Sequence, residues 1–158
     1  MRKIIYPGTF DPIHNGHLDI AFRAAKLFDH LEFVIAENSE KKSLFSIEER
    51  LKLIDKSTSH ISNISVNSFT GLVVDYANKT KAKTIIRGLR HVSDFEFEFQ
   101  MAMMNFNLNP NIKSMFMMPD EKYIHINSTV VKDVVKNKGD ISSFVPKCVY
   151  KALVLKYS

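Results

Sequence analysis

Two histidines, His14 and His17, lie three residues apart around Asn15-Gly16, directly after the run Tyr6-Pro7-Gly8-Thr9-Phe10-Asp11-Pro12. A loop set by glycine and proline that runs into a helix start offers backbone N–H groups and the positive end of the helix dipole, which together suit a phosphate. Gly16 has no side chain and lets a ligand come close to the backbone. His17, in the first turn, can turn an N–H toward a phosphate oxygen. Zinc ligation by the pair would need further ligands. Asp11 is near, but the chain has no HExxH pattern, and its one cysteine is Cys148. A histidine that only satisfies the loop's own hydrogen bonds remains an alternative at either position.

Three more segments carry anion-binding residue types. Lys41 and Lys42 follow an apolar run, where one of them can reach over a site or both can be solvated loop residues. Arg87-Gly88-Leu89-Arg90 places two guanidinium groups around a glycine, a pattern suited to forked contacts on phosphate oxygens. Arg87 falls where a buried strand ends, so it needs an anionic partner, either a ligand or a protein carboxylate. The stretch Tyr123-Ile124-His125-Ile126-Asn127-Ser128-Thr129 leads into a helix, where hydroxyl and N–H groups make a second phosphate site; simple N-capping by Asn127 or Ser128 is the alternative, and the two roles are compatible. Neither GxxxxGK[ST] nor GxGxxG occurs. A ligand with several phosphates, held by a loop of another type, is the expectation.

The elements that must position these groups alternate in period. Apolar β-type runs at Lys3–Tyr6, Leu31–Ala36, Ile64–Ser68, Thr84–Arg87 and Ser114–Met118 are separated by helical patterns at Gly16–Phe28, from Ser46, and at Leu72–Asn78. Residues 92–108 fit either period, since Phe95, Phe97 and Phe99 alternate with glutamates while Phe95, Phe99, Ala102, Met103 and Phe106 form a helical face. Length without a breaker favours a helix there, with Ser93 and Glu96 as its capping box. Val130–Lys136 and Pro146–Lys156 are predicted as C-terminal helices, the latter with proline in its first turn. The pattern predicts a single domain over 1–158 of the α/β class: a Rossmann-like, doubly wound, parallel five-stranded sheet with helices on both faces. Ligands of such sheets bind beyond the carboxyl ends of the strands, where all four segments fall.

Length and composition agree. The 158 residues are enough to bury a core, and 45% hydrophobic with 25% charged residues excludes a disordered tail or a disulfide scaffold. The net charge of +5 does not mark a nucleic-acid binder. Residues 132–158 hold six basic and two acidic groups, the remaining chain is nearly balanced, and a solvated helical face is the expected use of Lys132, Lys136, Lys138, Lys147, Lys151 and Lys156. No basic stripe interleaved with aromatics occurs. The longest uncharged run, Phe99 to Ile112, is too short to span a bilayer. Pro7, Gly8 and Asp11 break any signal-peptide core near the N-terminus. Cys148, without a disulfide partner and in apolar surroundings, points to a core or near-core position, rather than a nucleophile, in a reducing compartment. A cytoplasmic protein that binds neither membrane nor nucleic acid is expected.

Thr9-Phe10-Asp11-Pro12 with His14-Asn15-Gly16-His17 resembles the (T/H)xGH signature of the nucleotidylyltransferase superfamily, and Ile126 to Lys132 resembles its second signature, ISSTxxR. Tyr6 to Pro12, Lys41-Lys42, Glu48-Glu49-Arg50, Ile86 to Arg90 and Asp94 to Glu98 together resemble bacterial phosphopantetheine adenylyltransferases over nearly the whole chain. The resemblance implies that ATP and 4′-phosphopantetheine give dephospho-coenzyme A and pyrophosphate, with Mg²⁺, in a homohexamer, and with coenzyme A as a feedback inhibitor. It implies His17 as the stabiliser of the pentacovalent α-phosphorus state and Thr9 as the group that orients both substrates. Lys41 and Arg87 are implied for the acceptor phosphate, and Val73 for the pantetheine arm. Phe10, Gly88, Leu89, Arg90, Glu98 and Tyr123 to Thr129 are implied on the ATP side, with Lys41 and Arg90 also counted among the catalytic groups and Glu98 at the ribose. Mg²⁺ is expected mainly on ATP oxygens, because no carboxylate cluster is evident. The pattern departs from the family at Asn127, where Ser or Thr is usual, and at His14, where Thr is usual. A nicotinamide- or nicotinate-mononucleotide adenylyltransferase shares the HxGH loop, but the Arg87–Arg90 segment and the short length argue against it. The intact set of Thr9, His17, Lys41, Arg87 and Arg90 speaks against a non-catalytic regulatory relative.

Overall fold

A computed structural model describes residues 1–37 and 42–158, so Lys41 lies outside the described residues. Five strands, β1 (Lys3–Gly8), β2 (His30–Ala36), β3 (Ile64–Phe69), β4 (Thr84–Gly88) and β5 (Lys113–Met117), form one sheet in the order β3-β2-β1-β4-β5. Every neighbouring pair is parallel, with Tyr6 opposite Phe33 and Arg87 opposite Phe116. Parallel neighbours require crossovers, and the helices supply them. These are α1 (Asn15–Leu27), α2 (Ile47–Thr58), α3 (Val73–Lys79), α4 (Val92–Leu108), α5 (Ser128–Lys136) and α6 (Lys147–Tyr157).

Strand alternation divides the core in two. Ile4, Tyr6, Leu31, Phe33, Ile35 and Ile86 point to one face and pack on Leu18 and Ala21 of α1, Ile54 of α2, Val131 of α5 and Leu153 of α6. Ile5, Val34, Phe69 and Ile85 point to the other and pack on Val74 and Ala77 of α3. Burying each of the larger aliphatic and phenylalanine side chains here contributes about 1.5–3 kcal/mol. The doubly wound prediction holds, and the strand order reverses between β1 and β4, where the sheet opens a crevice.

Element ends differ from the sequence reading by one or two residues, mainly where pairing with a neighbour extends a strand. β1 runs on through Pro7 and Gly8 because β2 matches it to Ile35. Helix α5 starts at Ser128 rather than Val130, because the Asn127 side chain accepts from Val130 N–H at 2.8 Å and caps it there. Helix α4 forms as the length of its pattern predicts, but Asp94, not Glu96, closes its first turn, accepting from His91 N–H at 3.2 Å. Its faces also differ from expectation. Phe95, Phe99, Met103 and Phe106 are exposed, and the side turned to the protein is the mainly polar series Asp94, Glu98, Ala102 and Asn105. The reason lies in what α4 covers: Glu98 meets Arg87 from β4, which draws that face inward.

The basic C-terminal stretch is not wholly solvated. Lys132 Nζ meets Asp11 Oδ2 at 3.1 Å, and Lys156 Nζ meets Glu49 at 2.9 Å while lying over the Phe45 ring. Cys148 is half-buried, with its Sγ 3.5 Å from Ser57 Oγ, at the margin of the core as expected.

Candidate active site

The first crossover forms the floor of the site. His14 caps α1: its Nδ1 accepts from Gly16 N–H at 3.1 Å and His17 N–H at 3.4 Å. His17 returns the contact, its Nδ1 accepting from His14 N–H at 3.2 Å, and the two rings stack with centroids 3.6 Å apart. A ring nitrogen that accepts carries no proton, so the neutral His17 ring bears its proton on Nε2. A Cβ on Gly16 would lie 3.1 Å from the His14 ring. The glycine therefore makes room for a neighbouring imidazole, where the sequence suggested room for a ligand.

Electrostatics keep both histidines neutral. Burial pushes His14 down to about 3, with Arg90 adding to it. Burial lowers His17 well below the ordinary histidine value, and His14, Arg90 and Arg87 act in the same sense. Phe10 fixes the ring from the side, edge-on at 4.9 Å. Phe10 holds a left-handed φ of 48° and is buried against Tyr6 and Phe33, so packing sustains a conformation that its backbone disfavours.

Asp11, buried beside this loop, accepts from Leu44 N–H at 2.8 Å, Phe45 N–H at 2.9 Å and Lys132 Nζ at 3.1 Å. It is an anchor between the loop, the start of α2 and α5. With its oxygens so engaged it does not serve as a free metal ligand, and among the described residues no group of three or more His, Cys, Asp or Glu side chains is placed to hold a metal ion.

The second wall comes from β4. Arg87 donates from Nε to Glu98 Oε2 at 2.8 Å, from Nη2 to Glu98 Oε1 at 2.6 Å and from Nη1 to the Pro7 carbonyl at 2.7 Å. Burial works against the charge of Arg87, and the Glu98 carboxylate more than offsets it, so its pKa is raised. The anionic partner that the sequence required is therefore present within the protein. Gly88 lets α1 approach, since a Cβ there would lie 2.9 Å from Ile20 Cδ1. Arg90 donates from Nη1 to the Ile126 carbonyl at 2.9 Å, which ties the second signature to β4. Ser128 gives its hydroxyl proton to the Pro12 carbonyl at 2.9 Å. The backbone N–H groups that open α5 are what that end can offer an anion.

These groups enclose a cavity of about 330 Å³ at the carboxyl ends of β1 and β4. Thr9, Phe10, His17, Arg87, Gly88, Arg90, Glu98 and Ser128 line it. The Cytidylyltransferase-like family matches residues 5–134 of the chain. A phosphopantetheine adenylyltransferase of Hamiltonella defensa is 47% identical over 152 residues, covering 96% of this chain and 97% of that protein. One of Staphylococcus haemolyticus is 49% identical over 155 residues, covering 98% and 96%. The chain belongs to the phosphopantetheine adenylyltransferase family. A crystal structure from Vibrio parahaemolyticus, provisionally assigned as a nicotinate-nucleotide adenylyltransferase, shares the fold with a TM-score of 0.75 at 20% identity, covering 98% of this chain and 99% of that one.

A second cavity of about 330 Å³ adjoins the first in this family member, lined by Val73, Phe69, Met101, Ala102 and Asn105. Thr9, Arg87 and Glu98 face both cavities, so the Arg87–Glu98 pair forms part of the wall between them. Leu89, Tyr123, Ile124, His125, Ile126, Asn127 and Thr129 line neither. The Tyr123–Ile126 segment runs beside the start of α1, its Tyr123 carbonyl near Gly16, and Thr129 faces a shallow hollow with Lys42, Lys132 and Lys136. Sequence reasoning missed Ser93, Asp94, Phe97 and Pro119 in the first cavity, and Met101, Ala102 and Asn105 in the second. The helical spacing of Glu98, Met101, Ala102 and Asn105 was the available signal, since those positions share one face.

Proposed function

We propose that this protein transfers the adenylyl group of ATP to 4′-phosphopantetheine, releasing pyrophosphate and forming dephospho-coenzyme A. An oxygen of the acceptor phosphate attacks the α-phosphorus of ATP, and the bond to the bridging oxygen of the β-phosphate breaks as pyrophosphate leaves. The nucleophile is already an anion, so no protein base has to activate it. The protein's task is positioning and the stabilisation of charge at phosphorus.

The observation that carries this reading is the pair of adjoining cavities with one shared wall at the β1–β4 crevice, in a chain nearly half identical to named members of the family. In this reading the polar cavity takes the nucleotide and the second takes the pantetheine arm, past Val73. His17 Nε2–H donates to the α-phosphoryl oxygens. Thr9, facing both cavities, orients both substrates. Arg87 and Lys41 hold the acceptor phosphate, Arg90 and the start of α5 hold the ATP phosphates, and Glu98 meets the ribose. Mg²⁺ carried on the nucleotide's phosphates would neutralise part of their charge.

The whole chain, 1–158, acts as one catalytic domain in this reading. Its place is the cytoplasm; among the described residues no helix is long and apolar enough to cross a membrane. The exposed apolar surface of α4 supports a homohexamer in which other copies cover that helix. Coenzyme A, which contains the product's skeleton, is the natural feedback inhibitor of such a site.

Pyrophosphate release from ATP, measured with and without 4′-phosphopantetheine, tests the proposal. Release that depends on this acceptor, and that nicotinamide mononucleotide or nicotinate mononucleotide does not support, is expected. Absence of acceptor-dependent release from folded protein would remove it.

A further inference from the structure

The Arg87–Glu98 pair stands where the two cavities meet, and both residues line both. A guanidinium has five N–H donors. Three are engaged, two by Glu98 and one by the Pro7 carbonyl, leaving one on Nη1 and one on Nη2. Glu98 is buried and both its oxygens are held by Arg87, so its capacity to accept from anything else depends on how tightly Arg87 holds it.

We infer that this ion pair couples the two substrate subsites, so that occupancy of one raises affinity at the other. The inference rests on the reading above, in which Arg87 meets the acceptor phosphate and Glu98 meets the nucleotide ribose. A phosphate on the free donors of Arg87 shares the guanidinium's charge and weakens its hold on Glu98. The Glu98 oxygens then accept a ribose hydroxyl more readily. By linkage the converse holds: a ribose on Glu98 leaves Arg87 freer for the phosphate. The effect opposes the direct repulsion between two bound anions, which by itself would weaken the binding of each substrate in the presence of the other.

Glutamine at position 98 keeps the shape and one accepting oxygen but removes the charge that answers Arg87. The test is calorimetric titration of the full-length protein with α,β-methylene-ATP, which is not cleaved at the reacting bond, in the absence and presence of saturating 4′-phosphopantetheine. The ratio of the two dissociation constants, that without acceptor over that with it, is the coupling. In Glu98→Gln this ratio is expected to fall by about fivefold or more, the lower end of ordinary coupling energies. Arg87→Lys, which keeps the charge and loses the fork, should lower it as well. The double variant should fall no further than the lower single variant, since the two residues act as a unit.

A ratio within about twofold of wild type in Glu98→Gln would overturn the inference, as would additive losses in the double variant. Thermal melts of each variant establish that the fold is kept, and a structural lesion would change both constants while leaving their ratio alone. Wild-type protein that binds the nucleotide analogue but not 4′-phosphopantetheine would instead count against the functional reading.

Discussion

His17 is held on three sides before any substrate arrives: by the His14 N–H on Nδ1, the His14 ring on one face and the edge of Phe10. A donor fixed in this way costs no reorganisation when charge develops at phosphorus. His17→Ala should lower kcat by about 10²–10³-fold and leave both KM values within about threefold. Steady-state kinetics in each substrate check this, and a kcat near wild type would end the assignment. The neutral state of the pair has a second consequence. The folded state binds a proton at His14 only near pH 3, whereas the unfolded chain binds it near the ordinary histidine value of about 6.5. Stability from this residue is therefore complete above about pH 6.5 and drains away as the pH falls from there toward 3. Melting temperatures measured from pH 8 down to 4 should fall more steeply for wild type than for His14→Asn, which still caps α1 but does not titrate; parallel curves would contradict the burial argument.

At the scale of elements, caps and crossovers determine where the site residues stand. Asn127 starts α5 and so sets where the N–H groups beyond it point. Asn127→Ala should cost about 1 kcal/mol in urea unfolding, while Asn127→Ser, which keeps a capping oxygen, should stay within about 0.5 kcal/mol of wild type. That loop was legible in the sequence because capping is local: the cap, the turn and the helix lie within a few residues. The strands were legible for a similar reason, since buried runs such as Phe33–Ile35 carry their apolar content in one unbroken stretch. What the sequence did not show depends on partners far along the chain. Asp11 meets Lys132 across 121 residues, and Arg87 takes Glu98 from the next helix, a contact that helical spacing alone does not announce. The outward face of α4 was hidden too. Its apolar residues run round most of the helix, so no single stripe marks the buried side, and the charge on Arg87 selected the polar one.

In the whole molecule, α4 leaves Phe95, Phe97, Phe99, Met103, Met104 and Phe106 open to solvent, more apolar surface in one place than a monomer ordinarily tolerates. Met104→Glu, at a position 56% exposed and lining neither cavity, should leave secondary structure intact and shift the protein to smaller species in sedimentation velocity. A distribution like that of wild type would show that copies do not associate through α4. The sheet order has a different consequence. Strands β1, β2 and β3 lie on one side of the β1–β4 seam and come from the half of the chain that carries Thr9 and His17, while Arg87, Arg90, Glu98 and Ser128 all follow in the second half. A cut in the exposed turn at Lys81 would give two fragments, each with its own strands and half of the chemistry. Neither fragment alone could turn over substrate, and activity in the mixture would report on the zipping of β4 onto β1 together with the docking of α5 and α6 onto the first fragment.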